Sequence, residues 1–172
     1  GSGGLNDSFP TVSLIDGIKN AGFEINEDLV KFYTDFRAKR PTVGMWGQDW
    51  TIPEPSIEQY KEANIFENAR NYSDKAVVVI ARSGGEGADL PRSLDPSVED
   101  TFVDGGTFGS KGIRYSDQKD DLDADKSYLE LSNRETAMLD AVNKKFKNIV
   151  VIINASNPME LGFVNEYENI TS

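Results

Sequence analysis

Along this chain the apolar positions alternate between helical spacing and unbroken β-branched runs, and that alternation predicts its elements. Leu14, Ile15 and Ile18 fall at helical spacing within residues 12–22, predicting a short amphipathic helix closed by Gly22. Asn26 can cap a second helix over 27–39, where Leu29, Val30, Phe32, Tyr33 and Phe36 form one apolar stripe, of the kind that faces a core, and Pro41 ends it. Ser56 followed three residues later by Gln59 is a capping box, which opens a third helix reaching to about residue 71. Ser132 and Glu135 repeat that signature and open a helix over 132–146 that turns Met138, Leu139, Val142 and Phe146 inward. On either side of this last helix lie Lys75-Ala76-Val77-Val78-Val79-Ile80-Ala81-Arg82 and Asn148-Ile149-Val150-Val151-Ile152-Ile153-Asn154, continuous runs typical of strands buried on both faces.

Strand, helix and strand joined by a right-handed crossover make a parallel α/β unit. The three helices before it and a short segment over 158–167 extend this to a three-layer α/β/α sandwich with a mainly parallel sheet. Two parallel strands need further strands beside them and helices over both faces. The expectation is therefore an incomplete sandwich spanning 1–172, part of a larger sheet, with apolar surface that another segment would cover and a further strand due after residue 172. Gly1-Ser2-Gly3-Gly4 reads either as an added linker or as a native glycine turn following a strand.

Three irregular stretches carry the candidate chemistry. Directly after the first strand comes Ser83-Gly84-Gly85-Glu86-Gly87-Ala88-Asp89. Ligands in open parallel sheets sit at the carboxyl ends of strands, and flanking glycines free the backbone to present Glu86 on a thin loop. The same residues also read as a plain turn tipped by a solvated acid. No phosphate-loop spacing is present, and a central carboxylate would repel phosphate, which counts against a flavodoxin-like nucleotide binder. Over 40–55 the chain is Gly-, Pro- and Trp-rich; Trp46 and Trp50 either line a sugar subsite or plug the loop onto the core. Over about 90–127 periodicity disappears, the mark of a functional or mobile loop insertion. Its Asp121-x-Asp123-x-Asp125 core starts like a calcium loop, but Lys126 replaces the required glycine and Ser132 the closing glutamate, so solvated charge is the better reading and no metal is expected. Asn-x-Ser/Thr triplets at Asn6, Asn71, Asn154 and Asn169 carry no weight without signs of secretion.

Composition narrows the chemistry. The 172 residues hold 18 Lys+Arg and 29 Asp+Glu, a net charge of −11, so phosphate backbones would be repelled and no nucleic-acid partner is expected. The absence of His and Cys excludes a Ser-His-Asp triad, a thiol nucleophile, a disulfide framework and an ordinary zinc site. The apolar runs 76–81 and 149–153 both fall far short of the roughly 20 residues of a membrane span, and no basic segment leads into an apolar stretch at the N-terminus. A soluble chain with no membrane partner is expected. Lack of cysteine leans towards the cytoplasm without demanding it.

Taken in order, the strand with its Arg82-Ser83-Gly84-Gly85-Glu86-Gly87-Ala88-Asp89 loop, then Tyr128-Leu129-Glu130-Leu131-Ser132 entering a helix, then the second strand with Asn157-Pro158-Met159-Glu160-Leu161, resembles the α/β sandwich domain of glycoside hydrolase family 3, the β-glucosidase family. The resemblance extends over about 12–172, and residues 1–6 look like the glycine turn after that domain's first strand. It implies an O-glycosyl hydrolase in which a (β/α) barrel domain of the same protein supplies an aspartate nucleophile while the sandwich loop supplies the general acid/base, at the position of Glu86. Arg82 and Asp89 would flank that residue and orient the loop, with Trp46 and Trp50 as substrate-adjacent candidates. The implied partners are a β-glucoside or oligosaccharide substrate, the barrel, and a second copy in a homo-oligomer; no cofactor is implied. Two departures stand out: the 90–127 insertion is long for the family, and the barrel is not in this sequence, so the chain by itself is expected to be catalytically silent. The competing function is a non-catalytic module for carbohydrate binding or assembly.

Overall fold

The computed structural model describes residues 10–41, 51–83, 90–95, 97–98 and 114–172. The chain divides into two compact units, Gly1–Arg40 and Pro41–Ser172. In the first, helix α1 spans Leu14–Asn20, capped by Ser13, and helix α2 spans Glu27–Ala38. The Asn26 side chain accepts from the amides of Asp28 and Leu29, the cap its sequence position predicts. Lys19 reaches across to Glu27 at 2.7 Å.

The second unit is built on two parallel strands, β1 (Lys75–Arg82) and β2 (Asn148–Ala155), in register from Lys75 against Asn148 to Arg82 against Ala155. Helix α5 (Asn133–Lys145) forms the crossover between them, so the expected strand, helix and strand unit is present. Both capping boxes form: Ser56 with Gln59, and Ser132 with Glu135. Met138, Leu139, Val142 and Phe146 are all buried, as their spacing requires. Beyond a short 3-10 turn at Gly162–Asn165, the chain returns to the outer edge of β2, where the Ile149 amide donates to the Asn169 carbonyl and the Thr171 amide to the Ile149 carbonyl, both at 2.9 Å.

Two expectations need correction. The third helix is not continuous; it is α3 (Ile57–Glu62) followed by α4 (Ile65–Tyr72), broken at Asn64, whose φ of 51° is left-handed. Asn tolerates that conformation better than other residues with a side chain, and the break lets Tyr60 and Ile65 both enter the core. The strands also are not buried on both faces. Val78, Ile80 and Arg82 point into the interior, whereas Val77 is 51% exposed and Val79 38%. A Val/Ile run conceals this alternation, because both faces carry the same apolar residue types. Among the described residues, no helix is long and apolar enough to cross a membrane.

The break at Asn64 makes a quantitative expectation. Asn64→Ala forces a Cβ without a compensating polar group into the left-handed region and should destabilise the chain by about 1–2 kcal/mol, while Asn64→Gly should cost less than Asn64→Ala. Urea unfolding midpoints of the three proteins, with unchanged m-values, check this.

Candidate functional site

The carboxyl end of β1 is where the sequence locates its chemistry, and the structure shows what that end is fastened to. Arg82 is the last strand residue and points inward, 3% exposed. Its Nη1 and Nη2 donate to the two carboxylate oxygens of Glu135 at 2.5 and 2.7 Å, a two-pronged ion pair. Nη1 also donates to the Ala81 carbonyl at 2.9 Å and Nη2 to the Glu130 carbonyl at 2.7 Å. The guanidinium lies 4.2 Å from the ring centre of Tyr115. Burial by itself would lower the Arg82 pKa; the Glu135 hydrogen bonds and charge overturn that and raise it, so the guanidinium stays charged.

Glu135 is able to serve Arg82 because of its place in α5. As the third residue of the helix it completes the capping box, its Oε2 accepting from the Ser132 amide at 2.8 Å while its own amide donates to Ser132 Oγ at 3.2 Å. One carboxylate thus closes the helix start and neutralises the strand end.

The next residue is pinned as well. The Tyr128 hydroxyl, in a side chain 1% exposed, donates to the Ser83 carbonyl at 3.0 Å. Tyr128 packs with Leu94 and Tyr115, and Leu90 rests on the same cluster. Ser83 and Leu90 therefore both rest on one anchored patch. A short antiparallel pairing holds that patch together, with the Leu94 amide donating to the Lys126 carbonyl at 3.0 Å and the Tyr128 amide to the Arg92 carbonyl at 3.3 Å. Glu86 and Asp89, together with Trp46 and Trp50, lie outside the described residues; of the candidate residues Arg82 alone is described, and it is an interior anchor. Sequence reading missed Glu135, Tyr128 and Tyr115. The signal available for Glu135 was its position in the capping box, one helical turn before Met138 and Leu139 on the same face.

The acidic run 117–125 has local partners. Asp121 is fully buried, and its Oδ1 accepts from the Arg134 amide at 2.9 Å, so it satisfies the N–H of the second residue of α5, two residues beyond the Ser132 amide that Glu135 takes. Arg134 in turn holds Asp120 at 2.7 Å. Asp123 Oδ1 accepts from the Asp125 amide at 3.0 Å, a local turn. Burial raises the Asp121 pKa, and the Arg134 amide with the Ser132 and Ser116 hydroxyls only partly offsets it.

Two stability outcomes follow from these contacts. Glu135→Gln strands a buried guanidinium and should destabilise by about 3–5 kcal/mol in chemical denaturation, whereas Arg82→Met combined with Glu135→Leu should lose far less. For Asp121, a carboxyl whose folded pKa exceeds its unfolded value of 3.8 favours folding only when protonated, and that advantage disappears as pH rises through the folded pKa. Asp121→Asn should therefore gain on the parent protein as pH climbs to 7, and the difference between their unfolding midpoints should shrink as the buffer is taken below 3.8.

No family model matches the chain. It is 26% identical over 97% of its length to a β-glucosidase of Ruminococcus albus, and 23% identical over its whole length to β-glucosidase A of Butyrivibrio fibrisolvens. It spans only 14% and 19% of those proteins. Among solved structures, a β-glucosidase from Paenibacillus barengoltzii superposes with a TM-score of 0.58 at 22% identity, covering 92% of this chain and 14% of that one. β-Glucosidase 3B from Thermotoga neapolitana, solved with glucose, gives 0.53 at 23%, covering 92% and 18%. The parallel strand, helix and strand unit and the likeness along nearly the whole chain to proteins named β-glucosidase agree on a partial α/β sandwich that resembles a domain of those β-glucosidases.

Proposed function

We propose that this chain is the part of a retaining β-glucosidase that carries the general acid/base, and that Glu86 is that residue. What supports the reading most is the position of Glu86. It lies four residues beyond the carboxyl end of a parallel strand, in a glycine-flanked loop whose two ends meet at one buried patch, within a chain matched along its length by proteins named β-glucosidase. The substrate is a terminal β-D-glucosyl residue or a close relative.

Retaining hydrolysis needs two carboxyl groups about 5–5.5 Å apart across the scissile bond. In the first step an aspartate carboxylate from the barrel attacks the anomeric carbon. The bond to the leaving oxygen breaks, and that oxygen takes the proton of Glu86, leaving a glycosyl ester on the aspartate and a Glu86 carboxylate. In the second step the Glu86 carboxylate removes a proton from water, whose oxygen attacks the anomeric carbon and releases the aspartate, restoring both groups and the β configuration. Glu86 must begin protonated, which calls for burial against substrate and the neighbouring domain. Asp89, Trp46 and Trp50 border the sugar, and the chain without the barrel is silent.

The test is Glu86→Ala in the full-length protein, or in this chain recombined with its barrel, against aryl β-glucosides of graded leaving-group acidity. Turnover of a poor leaving group should fall by about 10²–10⁴-fold, a good leaving group should lose much less, and added azide should restore rate. Equal turnover by variant and parent for every leaving group excludes Glu86 as the acid.

A further inference from the structure

We propose that Tyr128, with the Arg82–Glu135 pair behind it, is a positioning residue for the acid/base loop, acting through the Ser83 carbonyl. The inference rests on the assignment of Glu86 and adds the side chains that set its aim. The peptide between Ser83 and Gly84 leads directly into Gly84-Gly85 in sequence, and glycine restricts backbone angles least of all residue types. That peptide's carbonyl is held by the Tyr128 hydroxyl at 3.0 Å. One residue earlier, Arg82 is fixed at four acceptor contacts, to both Glu135 oxygens and to the carbonyls of Ala81 and Glu130. Tyr128 and Glu130 belong to the same short segment leading into α5, so a single stretch of chain grips the strand end through both its side chain and its backbone.

The chemistry gives this grip its purpose. Proton transfer to a leaving oxygen demands placement within roughly 0.5 Å and 10–20°, and a misplacement of about 1 Å can cost about 10²-fold. A carboxylate carried past two glycines achieves that placement only if the point of departure is rigid. The Tyr128 hydroxyl supplies a direction at that point, which apolar packing of its ring does not.

Tyr128→Phe keeps the buried ring and removes only the hydrogen bond. In the full-length enzyme it should lower kcat/KM for a poorly activated aryl β-glucoside by about tenfold and change a dinitrophenyl glucoside by less than about twofold, because only the former depends on protonation. Arg82→Lys, which cannot span both Glu135 oxygens and the Glu130 carbonyl, should show the same selectivity more strongly. Val142→Ala, a destabilising change elsewhere in α5, should lower activity evenly across leaving groups when the active fraction falls, which separates positioning from stability. If Arg82→Lys does not fold, Tyr128→Phe alone decides. A flat response in Tyr128→Phe beside a steep one in Glu86→Ala overturns the positioning role and leaves the acid/base assignment standing. A flat response in Glu86→Ala removes the assignment itself, and the positioning role with it.

Discussion

A buried ion pair holds the working end of this domain. Arg82 and Glu135 are 53 residues apart in sequence and both almost wholly withdrawn from solvent. Removing two charges from water costs several kcal/mol per ion, and such pairs persist only when nearly every donor and acceptor is used. Here the Glu135 carboxylate takes the two guanidinium prongs and the Ser132 amide, and the two Nη groups also reach two carbonyls beneath an aromatic face, leaving only Nε of the guanidinium without a hydrogen bond. Strand β1, the start of α5 and the segment between them are thereby tied at one point, and the geometry of each depends on the other two.

That convergence explains why two short motifs far apart in the sequence belong together. The strand-end Arg-Ser and the Tyr-Leu-x-Leu-Ser entry to α5 are two sides of one contact: Arg82 to the Glu130 carbonyl, Ser83 to the Tyr128 hydroxyl, and Ser132 and Glu135 closing the helix behind them. Each motif on its own is a turn or a cap. Joined, they fix the end of β1 immediately before the glycine-rich stretch of the sequence, with glycines at 84, 85 and 87.

Much of the fold was legible because its signals are local. Asn26, Ser56 and Ser132 act as the caps their spacing predicts, and the β-branched runs form the parallel pair in full register. The features that were not legible depend on partners distant in sequence. The break at Asn64 depends on Tyr60 and Ile65 both finding a place in the core, and neither position disturbs the helical period in sequence. Arg82 reads as a charged strand terminus and Glu135 as a capping glutamate, and nothing in either segment announces that they meet. The run 117–125 reads as a cluster of solvated acids, yet Asp121 is inside, because the amides at the start of a helix offer a carboxylate a buried partner that composition cannot reveal. For the candidate site, the chain sets Glu86 just after β1, a position outside the described residues, whereas the residues that anchor the end of β1 became visible only in three dimensions.

The nature of the anchor also limits what it can do for the proposed chemistry. Arg82 and Glu135 cancel one another, and beyond a few ångströms a close neutral pair contributes little field. It can therefore fix the end of β1 without imposing the field of a lone positive charge there. The chain holds 29 acidic residues against 18 basic, and charges on the surface are screened over about 10 Å at ordinary ionic strength. Under the proposed assignment, keeping Glu86 protonated falls to the sugar and the domain that would close over it. On this reading the division of labour is physical as well as architectural: the sandwich supplies a rigid, electrically quiet mount, and the low dielectric that makes the mounted carboxyl a proton donor arises only when substrate and barrel come together around it.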